Sequence, residues 1–214
     1  KVQGLWLEEI DNKLGKLNET VEYMNERYNN LGEDVSQRIQ SEEYLELVRK
    51  AFRAWDNADT DEKRRLVANL LTNAAGLTIC SDDTIRIFID WLNGYHEVHF
   101  AIIKVIHQNG AATKYEIWQE IAAGQEVREN SAEADLYKKL IRDLSTGGVI
   151  RQVRETSEDG RFLKKRTVVR VKSTFMESAF EDSKPIMLTE LGKQFVHYTM
   201  GDIVPRVGEA EHQT

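Results

Sequence analysis

The segment HEVH, which begins at His96 and ends at His99, carries residue types that bind zinc and activate water. The zinc hydrolase pattern needs histidines at i and i+4 of a helix, and position i+4 is here occupied by Phe100. We therefore expect a paired or solvated role for the two histidines. The neighbouring Asp82 and Asp83 are explained better as first-turn helix residues than as a catalytic pair.

Other catalytic signals do not occur in the sequence, which has no glycine-rich phosphate loop, nucleophile elbow or dinucleotide fingerprint. A single cysteine, Cys80, cannot form an internal disulfide, and this favours a reducing, cytoplasmic compartment. No apolar run approaches the roughly 18 to 20 residues of a membrane span, and no signal peptide heads the sequence. We expect a non-enzymatic protein that needs neither metal nor cofactor.

Positive charge is concentrated in one segment of an acidic chain. The 214 residues carry a net charge of -7, yet between Leu136 and Lys172 there are 11 basic and only four acidic residues. Such a segment is typical of a surface that meets an anionic partner. The alternative is a solvated hairpin whose lysines protect an exposed strand edge.

An apolar heptad runs through the first 35 residues, with alternating steps of three and four. This a/d pattern is typical of a left-handed coiled coil. It predicts a coiled-coil helix within residues 1–40, continuous through Val35, and self-association as the simplest way to bury the stripe. The alternative is an amphipathic helix packed on its own domain. The stripe consists of Leu7, Ile10, Leu14, Leu17, Val21, Met24, Tyr28, Leu31 and Val35.

A helical domain is predicted for residues 41–96. Ser41, Thr60 and Ser81 each precede acidic residues and an apolar periodic segment, which is the pattern of a helix N-cap. Gly94 is expected to separate two helices. The aromatic residues of this region indicate a core and not a cofactor site.

The sequence from 97 to 200 predicts three helices, a hairpin and a closing helix. Thr113 and Glu116 form a capping box, and Ser131 can cap a helix that ends at Gly147. Alternating segments VIRQVRET and KKRTVVRVK predict a hairpin, and IMLT predicts a last strand before a helix capped by Thr189. The buried face of the Ser131 helix is predicted to consist of Leu136, Leu140, Ile141 and Leu144.

This order of elements resembles the winged helix-turn-helix fold of bacterial and archaeal regulators, and the segment LTELGKQF is similar to one common in such domains. The resemblance implies a mainly α protein whose N-terminal coiled coil and helical bundle are followed by a C-terminal α+β winged helix. Residues 201–214 are expected to form a flexible tail. Winged helices bind either nucleic acid or protein, so the resemblance is more specific for fold than for function.

If the binding mode of the family carries over, the helix from Ser131 to Ser145 would lie in the DNA major groove and the hairpin would reach the backbone. The carboxylates of Glu129, Glu133 and Asp135 near the start of that helix argue against this mode. The residues implied as nucleic-acid contacts are Asn130, Ser131, Tyr137, Lys138, Lys139, Arg142, Arg151, Arg154, Arg161, Lys164, Lys165 and Arg166.

Two functions are therefore predicted from different classes. The first is a dimeric, cytoplasmic DNA-binding regulator with duplex DNA as its partner. The second is a non-enzymatic adaptor in which the coiled coil and the winged helix both bind proteins.

Overall fold

A computed structural model describes residues 2–31, 34–77, 79–124, 127–154 and 178–201. The described chain is mainly helical, as predicted, with a small two-stranded sheet. Its elements are α1 (Val2–Leu31), α2 (Asp34–Ile39), α3 (Glu42–Asp56), α4 (Asp61–Gly76), α5 (Asp82–Gly94), α6 (Glu97–Asn109), α7 (Lys114–Ile121), α8 (Ala132–Thr146), β1 (Ile150–Gln152), β2 (Ile186–Leu188) and α9 (Glu190–Thr199).

The helix starts follow the local signals of the sequence. Each predicted capping side chain accepts a hydrogen bond from the backbone N–H three residues later, which satisfies one of the free donors at a helix start. The predicted boundary at Gly94 is also confirmed, because α5 ends there. The confirmed caps are Ser41, Thr60, Ser81, Thr113 and Ser131.

Two compact units divide the chain. Unit 1 comprises the described residues of 1–95 and 197–214, and unit 2 comprises those of 96–196. Residues 1–40 therefore share one unit with residues 41–95 and do not form a unit of their own. The last three residues of α9 are counted with unit 1.

α4 is the central helix of unit 1. All ten of its residues from Leu66 to Ala75 are buried, as expected for a helix that is covered on every side. Two buried amides on α4 hold the end of α9, since Nδ2 of Asn69 and of Asn73 donate to the carbonyl oxygens of Thr199 and Tyr198, each at 2.9 Å.

The second half of α1 packs on unit 1. Arg27 donates to Oδ1 of Asn73 at 2.8 Å, and the hydroxyl of Tyr23 donates to Oδ1 of Asn69 at 2.6 Å. Met24 is buried. This half of α1 therefore packs against its own unit. That is the alternative to a coiled coil that the sequence left open, an amphipathic helix packed on its own domain.

The predicted heptad stripe lies on two described helices. α1 is described as far as Leu31, Val35 is buried on α2, and positions 32 and 33 between them lie outside the described residues. Leu17 and Tyr28 are half-buried. The unpartnered part of the stripe lies nearer the N-terminus of α1, where Leu7, Ile10, Leu14 and Val21 are exposed.

Unit 2 contains α6, α7, α8, the sheet and the first turns of α9. The strands β1 and β2 are antiparallel, with Ile150 opposite Leu188. Ala112, between α6 and α7, exchanges two backbone hydrogen bonds with Ile186 and adds a third segment to this sheet. The predicted strand IMLT is confirmed as β2.

β1, the first strand of the predicted hairpin, pairs with β2. The predicted second strand, KKRTVVRVK, lies within residues 155–177, outside the described residues. Packing of α9 against the start of β1 requires glycine, because a Cβ on Gly192 would lie 2.2 Å from the carbonyl oxygen of Val149. Gly192 belongs to the LTELGKQF segment. Thr189 accepts from the N–H of Gly192, which confirms the predicted cap.

Candidate functional site

The predicted recognition helix, α8, buries three of the four residues expected on its inner face, namely Leu140, Ile141 and Leu144. Leu136 is 56% exposed, so its predicted burial is wrong, and Tyr137 is buried in its place. The rings of Trp118 and Phe180 lie 5.1 Å and 6.0 Å from the ring of Tyr137. This aromatic cluster rotates α8 so that its buried face consists of Ala134, Tyr137, Leu140, Ile141 and Leu144.

Tyr137 is consequently wrong as a nucleic-acid contact. Its side chain is 1% exposed, and its hydroxyl donates to the backbone oxygen of Lys114 at 2.7 Å. Burial raises the pKa of Tyr137 well above its usual range. A buried and hydrogen-bonded phenol fixes α8 to the start of α7 and has no free surface for a partner.

The N-terminal end of α8 presents mainly carboxylates. Asn130 is exposed, but the hydroxyl oxygen of Ser131 accepts the capping hydrogen bond from Ala134. Hydrogen bonds from its own backbone N–H and then from Ser131 lower the pKa of Glu133. Asp135 is exposed beside it. A polyanion is therefore repelled by the first turn of α8.

Glu129 has a structural role that the sequence did not indicate. Its carboxylate accepts hydrogen bonds from the backbone N–H of Ala179, at 3.0 Å, and from the hydroxyl of Ser178. Partial burial opposes ionisation, yet these hydrogen bonds prevail and lower the pKa of Glu129. The carboxylate thus fastens the segment that leads to β2 onto the start of α8, while its side chain remains half exposed.

The three basic residues predicted on α8 have different surroundings. Lys139 is exposed and pairs with Asp143 one turn later. Lys138 is mostly covered, and its Nζ lies 3.8 Å from Oε2 of Glu129. Arg142 is exposed, and no acidic side chain among the described residues forms an ion pair with it. Of the three, Arg142 offers the strongest positive charge to a partner.

A groove of about 490 Å³ lies between the C-terminal half of α8 and the sheet. Among the described residues, its lining includes five basic side chains and no carboxylate. The hydroxyls of Ser145 and Thr146 also line it, and its floor contains Ile141, Ile150 and Ile186. The basic groove, as we call it, is lined by Lys114, Lys138, Arg142, Arg151 and Lys184.

Acidic side chains pair with the lysines of the basic groove. Nζ of Lys138 lies 3.8 Å from Oε2 of Glu129 and 4.0 Å from Oδ1 of Asp135, and Nζ of Lys184 lies 3.6 Å from Oε2 of Glu181. The groove thus brings basic side chains together, some of them paired, on a chain whose net charge is -7.

The structure brings together some predicted contacts and omits others. Arg151 on β1 lines the basic groove beside Arg142, and Arg154 is exposed just after β1. Lys114 and Lys184 were missed by the sequence reasoning because they stand outside the contiguous basic segment. The feature that could have indicated these two lysines is their position, because each lies next to a segment of the sheet. Four predicted contacts lie outside the described residues: Arg161, Lys164, Lys165 and Arg166.

The histidine segment forms a local helix start. His99 is 2% exposed, and its Nδ1 accepts a hydrogen bond from the backbone N–H of His96 at 3.0 Å. In the part of the chain that the structure describes, no group of three His, Cys, Asp or Glu side chains is arranged to hold a metal ion.

The comparisons with known proteins return no relative. No family model matches the chain, and neither a curated protein nor a solved structure is significantly similar to it. Within the described ranges, none of the helices combines the length and the apolar character that crossing a bilayer requires.

Proposed function

We propose that this chain is a winged helix-turn-helix protein that binds duplex DNA as a dimeric, non-enzymatic regulator in the cytoplasm. The observation that carries the proposal is the basic groove, where, in the part of the chain that the structure describes, five basic side chains and no carboxylate line the space between α8 and the sheet. The order α6, Ala112, α7, α8, β1, β2 and α9 supports the winged-helix assignment.

In the proposed mode, the exposed face of α8 around Arg142 approaches the DNA and the basic groove contacts phosphates. Contacts of this kind give affinity with little sequence preference and a steep salt dependence. Arg142 and Lys139 lie in the second half of α8, away from the carboxylates of its first turn. We therefore expect the second half of α8, and not its N-terminus, to lie nearest the DNA.

Dimerisation is proposed to use the exposed stripe on α1. Leu7, Ile10 and Leu14 are each more than half exposed and lie at heptad spacing on one helix. Pairing of this stripe with a second copy buries it in the manner of a coiled coil. A dimer would present two α8 helices to two half-sites on the duplex.

The test is fluorescence anisotropy of a labelled mixed-sequence duplex across a salt series. Wild type is compared with Arg142→Glu/Lys184→Glu and with the control Lys104→Glu/Lys193→Glu, which changes the net charge equally at exposed sites outside the groove. We expect binding that weakens linearly in log salt and is abolished only by the groove variant. Equal losses in both variants would contradict a role for the groove.

A second function is favoured by Leu136. This leucine is exposed in the second turn of α8, beside Glu133 and Asp135, where an apolar and acidic surface suits a protein better than a polyanion. We propose the adaptor role as the alternative. Absence of duplex binding even at low salt contradicts the DNA-binding role and leaves the adaptor.

A further inference from the structure

Asparagine is followed by glycine at two positions of the sequence, at the end of α5 (Asn93) and at the end of α6 (Asn109). Asparagine is a thermolabile residue, because the backbone nitrogen of the next residue can attack its side-chain amide. Glycine in the next position has no Cβ that would hinder the attack. Whether either asparagine reacts therefore depends on whether its backbone can bring the two atoms together.

The asparagine of α5 is held inside a hydrogen-bonded helix. Gly94 is still part of α5, and the N–H of Tyr95 beyond it donates to the carbonyl oxygen of Trp91 at 2.9 Å. Oδ1 of Asn93 accepts a hydrogen bond from Nδ2 of Asn57 at 3.3 Å. The helical backbone directs the nitrogen of Gly94 along the helix axis. Attack on Asn93 therefore requires the end of α5 to unwind.

The asparagine of α6 lies at a helix end without these restraints. α6 ends at Asn109, and Gly110 follows outside the helix with a φ of 71°. Both residues are exposed. The residue that follows each of α3, α4, α5, α7 and α8 donates its N–H to a carbonyl oxygen one turn back. Among the described residues, no such hydrogen bond forms at Gly110, so this backbone nitrogen is free to turn.

The reaction at Asn109 needs only base and water. Hydroxide removes the proton from the N–H of Gly110, and the nitrogen then attacks Cγ of Asn109. A succinimide ring forms as the C–N bond of the side-chain amide breaks, and the released nitrogen takes a proton from water and leaves as ammonia. Water then opens the ring at one of its two carbonyl groups, which gives aspartate or isoaspartate. No metal, cofactor or enzyme takes part.

We infer that Asn109 is a site of spontaneous deamidation in the folded chain and that Asn93, which is also followed by glycine, is protected by α5. The geometry of the two helix ends carries this inference, and it does not depend on the proposed DNA-binding function.

Both products act on the connection between α6 and the sheet. Aspartate at position 109 places a negative charge at the C-terminal end of α6, where the helix dipole disfavours it. Isoaspartate also adds one methylene group to the backbone three residues before Ala112. Ala112 exchanges hydrogen bonds of 2.9 Å and 2.8 Å with Ile186 of β2. A longer backbone at this point loosens the pairing of Ala112 with β2.

The test is incubation of the full chain at pH 8.5 and 37 °C, with peptide mapping by mass spectrometry at successive times. Cleavage after lysine and arginine places Asn93 in peptide 87–104 and Asn109 in peptide 105–114, so both are measured in one sample. A sample taken at time zero corrects for conversion during digestion. In the folded chain Asn109 should convert at least about tenfold faster, which corresponds to about 1.4 kcal/mol in activation free energy.

The same incubation in concentrated urea separates the effect of structure from that of sequence. Unfolding removes the restraint of α5, and the two rates should then become similar, because glycine follows both asparagines. Comparable rates at Asn109 and Asn93 in the folded chain would overturn the inference. Conversion of Asn109 in urea but not in the folded chain would overturn it as well.

The variant Asn109→Gln assigns the reaction to one side chain. Glutamine must close a larger ring, so conversion in peptide 105–114 should stop. The exposed position allows this substitution without repacking. Continued conversion in the variant would assign the reaction to the neighbouring Gln108 and overturn the site.

The effect on the sheet is measured on the isoaspartyl form, separated by chromatography and verified with an isoaspartyl methyltransferase. Hydrogen exchange at the amides of Ala112 and Ile186 should be about fivefold faster than in fresh protein, as for the loss of one hydrogen bond. Asn109→Asp, which keeps the backbone length, should show a smaller increase. Unchanged exchange in the isoaspartyl form would overturn the loosening of the sheet and leave the reaction site in place.

Discussion

The imidazole of His99 on α6 faces the carboxylate of Asp143 on α8, with Nε2 lying 3.6 Å from Oδ2. Nδ1 of His99 accepts a hydrogen bond from the backbone N–H of His96, so the neutral ring carries its proton on Nε2, toward Asp143. Burial lowers the pKa of His99, and the attraction of Asp143 only partly opposes this. The folded protein therefore favours the neutral ring.

The first prediction is a loss of stability in mild acid. The unfolded chain takes up a proton on His99 near pH 6.5 while the folded chain resists it. The unfolding free energy should therefore fall as the pH is lowered below about 6.5. The fall should end once the pH is below the lowered pKa that His99 has in the folded chain. Urea unfolding at pH 7.5, 6.5 and 5.5 measures this dependence.

Two variants assign that pH dependence to one histidine. His99→Gln should be less stable at pH 7.5 but should lose less stability between pH 7.5 and 5.5 than wild type. His107→Gln, at an exposed position of α6, should follow the wild-type curve. Parallel curves for wild type and His99→Gln would contradict the assignment.

The second prediction concerns the close packing of α9 on the start of β1. Gly192→Ala places a Cβ 2.2 Å from the oxygen of Val149, so the backbone must move. We expect a loss of about 1–3 kcal/mol in unfolding free energy, the usual range for overpacking. Chemical denaturation measures it.

The control for Gly192 is Gly15→Ala in α1, where an added Cβ meets nothing within 4 Å. Alanine is the better helix former, so this variant should be stabilised by about 0.5–1 kcal/mol. Equal effects of the two substitutions would show that helix propensity, and not the contact with Val149, determines the result.

The third prediction separates one phosphate contact from general electrostatics. Arg142→Ala should reduce the magnitude of the slope of log K against log salt by about one, since each phosphate contact contributes about 0.9 to it. Lys104→Ala should leave the slope unchanged. An unchanged slope for Arg142→Ala would exclude a direct phosphate contact by this residue.

The fourth prediction is that wild type forms a dimer through α1. Sedimentation equilibrium at tens of micromolar should give twice the 24.7 kDa of one chain. Leu14→Glu should shift the mass toward the monomer, because it places a charge in the stripe, and Leu14 is already 53% exposed within one chain. Asn12→Glu adds the same charge on the opposite side of α1 and should remain dimeric. A monomeric wild type would contradict the prediction.

Local signals made much of the helical structure predictable. A capping side chain acts over three or four residues, so Ser41 and Thr113 could be recognised without knowledge of the fold. The choice between Leu136 and Tyr137 depends instead on distant partners. Trp118 and Phe180 stand on other segments, and nothing near α8 in the sequence shows that they select Tyr137.

The candidate site was predictable only where its residues are close in sequence. Arg142 and Arg151 belong to the contiguous basic segment and were found. Lys114 and Lys184 are 70 positions apart, and they come together because β2 pairs with both Ala112 and β1. A search for clustered charges along the sequence finds Arg142 and Arg151. Finding Lys114 and Lys184 requires knowledge of how the strands pair.

The return of the chain to unit 1 at the end of α9 has a consequence for synthesis on the ribosome. Asn69 and Asn73 are buried, and each depends on a carbonyl group that is translated more than 100 residues later. Until Tyr198 and Thr199 emerge, two amides lack acceptors whose loss costs about 1–3 kcal/mol each. Unit 1, although begun first, therefore cannot complete its hydrogen bonds until all of unit 2, which lies between its two parts in the sequence, has been synthesised.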